Sequence, residues 1–433
     1  MSTFHGVSRR SVASLSPEEK AAAEAQEAEK LRQYEALQAA FYADVAEATT
    51  LLSSSASGGD GGQKQRQQQQ GQQLDLAVAE KLMNSSAALL RKNPDFYTAW
   101  NWRRRALLAF MDSISAAATG SAAAVAMAVD ELLGKELKLT VVLIMINLKS
   151  YGSWNHRRWA LEHMHSPNWR KELDKIDEML KYDARNFHAW NYRRYVVSRQ
   201  RLAVDSSSTL AAAAAASSSV DGQAQHSVSH NNNSGGDDND DNDDNDEMPM
   251  TTVEMIDRAE FDYGFEKIMS GLLNGSAWHY RSNLLQRIFT SIAVRLDPIE
   301  AKALRIEMLN TELDTARNAV FTEPQNQIAW LYYMWLIESI LTENSAPESA
   351  GMGLDELYDR EDKIITELVE LEPDCVWVHK ACVQMAMIAG KYGIADETVK
   401  TVTKRASESC AVLIKEDPDR ANMYRAWMKM RNL

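Results

Sequence analysis

Apolar positions along this chain recur at helical spacing, and no run alternates as a strand would. In residues 171–181 (KELDKIDEMLK), Leu173, Ile176, Met179 and Leu180 fall three or four apart, the mark of a helix with one buried face. Residues 16–19 (SPEE) join an N-cap serine, a proline in the first turn and a glutamate three residues after the cap, ahead of an Ala/Glu/Leu-rich run. A first helix to about Leu52 is therefore predicted, completing an N-terminal segment 1–52. Residues 53–73 form a Ser/Gly/Gln tract, and residues 203–249 pass through Ala, Ser, Asn and Asp runs. Neither composition buries enough apolar surface to offset the entropy of ordering it, so both are read as flexible insertions. Segments 74–202 and 250–433 remain as the predicted folded body.

Those two segments repeat themselves. Residues 93–104 (NPDFYTAWNWRR), 147–158 (NLKSYGSWNHRR), 183–194 (DARNFHAWNYRR), 273–281 (LNGSAWHYR) and 323–333 (EPQNQIAWLYY) share one pattern anchored on Trp100, Trp154, Trp190, Trp278 and Trp330. Weaker sixth and seventh units follow at 372–377 (EPDCVW) and 416–422 (EDPDRAN). The closest anchors, Trp154 and Trp190, lie 36 residues apart, the length of one helical hairpin. Each unit reads as helix, short loop, helix. Asn or Asp in the loop stops one helix and caps the next, because its side chain satisfies backbone amides left free at the new helix start. The tryptophan then enters the first turn, and the arginines three and four positions on share its face, able to lie against indole rings or bond a neighbouring loop's carbonyls. The fold class is all-α, an α-α superhelix in which helical hairpins stack as a right-handed solenoid.

Composition narrows the function. Eight acidic residues crowd into 237–247, and without them the formal charge falls from −14 to −6. With no basic stripe outside the repeats, nucleic acid is not an expected partner. No apolar stretch is long enough to span a membrane, and residues 1–16 lack the apolar core of a secretory signal, so a cytoplasmic protein is expected. The three cysteines, Cys375, Cys382 and Cys410, lack zinc-finger spacing and read as ordinary buried thiols. His156, His163 and His165 cluster in sequence without a carboxylate or cysteine to complete a ligand set, and read as surface or capping residues.

The W-x-x-R-R units, with their Asn/Pro-rich lead, resemble the repeat of protein prenyltransferase α subunits from about residue 75 to 425. Tetratricopeptide repeats place small alanines and a Gly-Tyr pair where this chain has Trp-Asn-x-Arg-Arg. Segments 93–96 (NPDF), 167–173 (PNWRKEL), 183–195 and 321–330 (FTEPQNQIAW) resemble the Rab-directed (type II) geranylgeranyltransferase branch, as does His5-Gly6 near the start. Two departures stand out: Gly275 in repeat four, where the family usually carries an aromatic, and Tyr333-Met334-Trp335 in repeat five, where an arginine pair is expected, and both weaken the local packing prediction. The leucine-rich and immunoglobulin-like additions of animal subunits are not seen, as in shorter fungal and protist forms.

The resemblance implies an enzyme subunit active only with a β subunit, as a heterodimer that moves geranylgeranyl from its diphosphate to C-terminal cysteines of a Rab GTPase presented by an escort protein. The zinc and the lipid pocket are expected on the β subunit, and this chain is expected to bind no cofactor. The charge gathering on the departing diphosphate needs cations and donors. By resemblance Lys149 and Tyr151 face that diphosphate as the catalytic contribution of this chain, with His188 lining the same region. Read without the resemblance, a loop lysine is an ordinary solvated charge. Two other readings stay open: the α subunit shared by farnesyltransferase and type I geranylgeranyltransferase, and a non-catalytic helical-repeat scaffold.

Overall fold

The computed structural model describes residues 16–56, 74–117, 120–218, 250–345 and 354–431. Among them there are fifteen α-helices and no strand. They form two compact units, dividing after Gln200. The first unit holds α1 (Pro17–Ala56), α2 (Leu76–Lys92), α3 (Tyr97–Ala117), α4 (Ala122–Ile146), α5 (Tyr151–His163), α6 (Trp169–Tyr182) and the start of α7 (Phe187–Ser218). The second holds the rest of α7, then α8 (Thr252–Met269), α9 (Gly275–Arg295), α10 (Pro298–Thr322), α11 (Gln327–Asn344), α12 (Leu354–Leu371), α13 (Val376–Tyr392), α14 (Asp396–Glu416), a 3-10 turn (Pro418–Arg420) and α15 (Ala421–Arg431). Helices pair as α2/α3, α4/α5, α8/α9, α10/α11, α12/α13 and α14/α15 within their units. These are the hairpins the repeats predict.

Two boundaries differ from the sequence expectation. Helix α1 continues past Leu52 to Ala56, and α7 runs on through the Ser/Ala tract to Ser218, so the first part of the 203–249 insertion is helical. Alanine has the highest helix propensity of any residue, and a polyalanine run can extend a helix without packing against anything. Residues 57–73, residues 219–249 and the His5-Gly6 pair lie outside the described residues.

Every anchor tryptophan makes the same bond. The indole Nε1–H donates to the carbonyl oxygen six residues upstream, in the loop: Trp100 to Pro94 (2.8 Å), Trp154 to Leu148 (3.0 Å), Trp190 to Ala184 (2.9 Å), Trp278 to Leu272 (2.8 Å) and Trp330 to Pro324 (2.7 Å). The next hairpin's capping residue reaches the same carbonyl: Ser150 to Pro94, Asn186 to Leu148, Asn326 to Leu272 and Cys375 to Pro324. Stop and cap prove to be separate duties. Asn93, Asn147 and Asp183 end the first helix and accept a backbone N–H two residues on, whereas Ser150, Asn186, Asn274 and Asn326 cap the second.

In repeat six the anchor is His379, not Trp377. Its Nε2 lies 2.7 Å from the Pro373 carbonyl, again six residues back, while Trp377 stacks under Lys380. An imidazole N–H here does the indole's work.

Where two arginines follow the anchor, in repeats one to three, the first is buried and the second is the more exposed. Arg103 forks onto Glu136 (Nε–Oε2 and Nη2–Oε1, both 2.7 Å) and spends Nη1 on the Met83 carbonyl. Arg157 repeats this on Glu172 and the Leu137 carbonyl, and Arg281 on Glu312 and the Phe261 carbonyl. The carboxylate lies on the first helix of the following hairpin, so each fork fastens one hairpin to the next. A third donor comes from two positions past that hairpin's own anchor: His156 on Glu136, Tyr192 on Glu172, Tyr332 on Glu312.

The two departures from the repeat are resolved locally. Tyr333, standing where arginine is expected, donates its hydroxyl to the buried Glu361, and Arg317 from α10 supplies the charge at 2.9 Å. At Gly275 a Cβ would sit 2.3 Å from Ile328 Cδ1, so the aromatic's space is filled from the next hairpin. Neither site is loosely packed.

A buried carboxylate left without its arginine is the costliest defect this fold admits. Arg157→Met is expected to lower unfolding stability by about 3–5 kcal/mol, and adding Glu172→Leu to recover at least half of that, in urea titrations followed by circular dichroism. Equal stability of the single variant and the parent would show that the fork contributes nothing.

Candidate functional site

The loop ends of the first unit's hairpins carry the residues singled out in sequence. Three residues before each anchor, Tyr97, Tyr151 and Phe187 open the second helices, and all three are exposed, at 69%, 62% and 53%. The Tyr151 ring meets His188 edge-on at 4.3 Å and lies 6.1 Å from Phe187, and Phe187 packs on His188 at 3.9 Å. The structure thus brings Tyr151 and His188 into contact, with exposed Lys149 two residues before Tyr151.

Asp95 joins this group, and sequence reasoning missed it. Its carboxylate accepts from Ser150 Oγ (2.8 Å) and Asn147 Nδ2 (3.1 Å), holding the 147–151 loop from the neighbouring hairpin. Ser150 in turn caps α5, and the Asn147 side chain accepts the Lys149 backbone N–H at 3.0 Å. Lys149 and Tyr151 therefore leave a loop whose backbone is pinned at both ends. Gly152 tightens it further: a Cβ there would come within 2.4 Å of Trp100 Nε1 and 2.8 Å of the Pro94 oxygen, so a side chain would wedge open the first repeat's anchor bond. The Asp in the first loop and Gly152 beside Tyr151 were the available signals.

The electrostatics favour a neutral His188. Burial lowers its pKa first, and the Lys149 charge adds to this against the opposing pull of Asp95. Lys149 and, at the equivalent position of repeat three's loop, Arg185 are exposed cations on this edge, with the Tyr151 hydroxyl a donor beside Lys149.

The anchor tryptophans are buried and committed to loop carbonyls, so they hold the edge together without facing it. Nor do the three clustered histidines form a site. His156, expected at the surface, is fully buried between the Trp100 and Trp159 rings (4.5 and 5.4 Å), because it occupies the position that is tyrosine in later repeats. His163 stacks on Trp159, and exposed His165 leans towards Asp130. Among the described residues no three His, Cys, Asp or Glu side chains gather as metal ligands would, and no helix is long and apolar enough to cross a membrane.

The profile of the family described as "Protein prenyltransferase alpha subunit repeat" matches residues 79–110, 133–164 and 169–200, the three hairpins that build this edge. The chain carries protein prenyltransferase α-subunit repeats. Similar relatives include the geranylgeranyl transferase type-2 subunit alpha of Candida albicans, 27% identical over 353 residues covering 78% of this chain and 82% of that one. The Schizosaccharomyces pombe subunit of the same name is 26% identical, covering 82% and 87%. The Bos taurus subunit is 30% identical over 260 residues, 60% of this chain and 34% of its own length. A solved structure, Candida albicans protein geranylgeranyltransferase-I complexed with GGPP, is 17% identical, covers 82% of this chain and 83% of its own, and has a TM-score of 0.45, too low to bear on the argument.

Repeat two carries one unusual titrating pair. Burial alone would raise the Glu136 carboxyl, but hydrogen bonds from His156 and Arg103 outweigh it and hold the pKa at about 2. Burial pushes His156 down to about 4, more than the bond to Glu136 raises it. Because Glu136 only accepts, the His156 proton is assigned to Nε2, leaving Nδ1 to take the Arg104 Nε–H at 3.4 Å. As pH falls below about 6.5 the unfolded chain's histidine protonates while the folded one resists, so stability present above that pH is lost towards pH 4; Glu136 adds a further loss between about 4.5 and 2. His156→Tyr, the residue of the later repeats, is expected to abolish the upper limb of the stability–pH curve, on the order of 3 kcal/mol. An unchanged curve between pH 6.5 and 4 in that variant would assign the loss to other groups.

Proposed function

We propose that this chain is the α subunit of a Rab geranylgeranyltransferase, working in a heterodimer with a β subunit to move geranylgeranyl from its diphosphate to C-terminal cysteines of a Rab GTPase. The observation that carries this reading is the shared name, type-2 subunit alpha, of fungal and mammalian relatives at 26–30% identity. The Lys149, Tyr151 and His188 cluster on the loop edge supports it chemically. The reaction breaks the bond between the isoprenoid C1 and the diphosphate oxygen and forms a thioether at the cysteine sulfur. A zinc ion, expected on the β subunit, would supply the thiolate.

The leaving diphosphate accumulates negative charge as the carbon–oxygen bond lengthens. Lys149 meets that charge as a compact ammonium, and the Tyr151 hydroxyl donates to a second oxygen. Neutral His188 braces the Tyr151 ring, fixing where the hydroxyl points. The Asp95 carboxylate, accepting from Ser150 and Asn147, holds the loop that carries both residues. An escort protein presents the Rab.

The chain is co-expressed with candidate β subunits and assayed for geranylgeranyl transfer to a Rab ending in two cysteines, with and without escort protein. Lys149→Ala is expected to slow transfer by about 10²-fold, and Tyr151→Phe, which keeps the ring contact, by about tenfold. Full activity in Lys149→Ala removes the site and leaves the family. Escort-independent transfer of farnesyl to other substrates instead points to the subunit shared with farnesyltransferase, and a chain that stays monomeric with every β subunit points to a scaffold.

A further inference from the structure

One loop position changes character from repeat to repeat. Five residues before the anchor stand Asp95, Lys149, Arg185, Leu273, Gln325 and, with His379 as the sixth anchor, Asp374. A cation occurs there only in repeats two and three, on consecutive loops of the first unit, and both side chains are exposed. The buried carboxylate network does not require it, since that network draws on positions past the anchor.

Arg185 is held in the same way as Lys149. Asp183 Oδ1 accepts the Arg185 backbone N–H at 3.2 Å, as Asn147 Oδ1 accepts that of Lys149 at 3.0 Å. The next residue in each loop, Ser150 or Asn186, caps the helix that follows. The two loops are also bonded to each other, because the buried Asn186 Nδ2 donates to the Leu148 carbonyl at 3.1 Å. Leu148 and Asn186 are the immediate neighbours of the two cations, so the stems of Lys149 and Arg185 leave one braced pair of loops. Among the described residues neither side chain forms a hydrogen bond or ion pair. Over residues 91–97, 145–151 and 181–187, Arg91, Lys92, Lys149, Lys181 and Arg185 stand against the carboxylates Asp95 and Asp183, so these segments stay positive with all their charges counted. The Lys149 charge lowers the His188 pKa and the Arg185 charge does not, so the two cations are set apart and do not crowd one point.

We propose that Arg185 is a second cation from this chain for the leaving diphosphate, with the Lys149 ammonium meeting one phosphoryl group and the Arg185 guanidinium the other. This rests on the proposed transfer reaction and adds a residue to its site. As the bond from C1 to oxygen breaks, its electron pair departs with the diphosphate, whose charge is spread over two phosphoryl groups and exceeds what one ammonium answers. A planar guanidinium fork takes two oxygens of one phosphoryl group, whereas lysine supplies a point charge.

The heterodimer with its β subunit is assayed in single turnover with geranylgeranyl diphosphate already bound, and separately for inhibition by inorganic diphosphate. Arg185→Gln is expected to slow the single turnover about tenfold and to weaken inhibition by inorganic diphosphate about tenfold, with the KM for the Rab and the melting temperature unchanged. Arg185→Lys, which keeps the charge and loses the fork, should recover part of both losses. An unaltered rate and unaltered inhibition in Arg185→Gln, while Lys149→Ala slows transfer, would overturn this inference and leave the proposed site standing. A change confined to the KM for the Rab would also overturn it, by assigning Arg185 to the protein substrate. Where Lys149→Ala is silent as well, or no β subunit supports transfer, the proposed site falls and this inference falls with it.

Discussion

A carboxylate shut away from water between helices must be paired and fully hydrogen-bonded, and this chain builds its hairpin stacking on that requirement. Glu136, Glu172 and Glu312 each take a two-pronged guanidinium from the preceding hairpin and a third donor from their own. Apolar contacts alone would let two hairpins slide by a turn at modest cost. A fork–fork pair tolerates no such slip, since displacing either partner strands a charge in a low-dielectric interior. The network therefore sets register, and the apolar clusters supply the bulk of the burial energy around it.

The carboxylate is also what stays fixed when its donors change. At Glu361 the arginine has moved from the second helix of its hairpin to the first, as Arg317, tyrosine has taken its old place, and the adjacent Arg360 gives the third bond. At Glu136 an imidazole replaces a phenol. These exchanges conserve the number of donors while varying their origin, so departures at those positions do not weaken the stack. They do alter its response to pH, because a phenol does not protonate where an imidazole does.

The hairpin repeat was legible in the sequence because tryptophan is rare and its spacing is regular. The carboxylates were not, since a glutamate in an amphipathic helix looks like any solvated charge. Their regularity was nonetheless present: Glu136, Glu172, Glu260, Glu312 and Glu361 each stand 18 residues before an anchor, the last of them before His379. Searching for tryptophan alone led to Trp377 and hid that register, and reading His156 by its neighbours in sequence, instead of by its place in the repeat, hid its burial. The polyalanine helix was missed for a different reason: the entropy argument applies to packed structure and not to a local helix of strong formers. At the candidate site, Lys149, Tyr151 and His188 were reachable only through family resemblance, whereas Asp95 needed the fold to bring it across from the neighbouring loop.

Fastening the hairpins from inside leaves their edges free to specialise. The loop carbonyls that receive each indole also receive the next hairpin's cap, so the loop ends are held at fixed spacing without spending any outward-facing side chain. In the first unit that freedom is used for an exposed aromatic row beside Lys149. That row depends on rigid backing. A lysine on a loose loop is a solvated charge, and the same lysine between Asn147 and a capped helix start is a placed one. The distinction between a structural repeat and a functional edge therefore lies in where a residue falls about the tryptophan: positions two and three past the anchor feed the buried carboxylates, whereas the loop before it and the position one past it face outward.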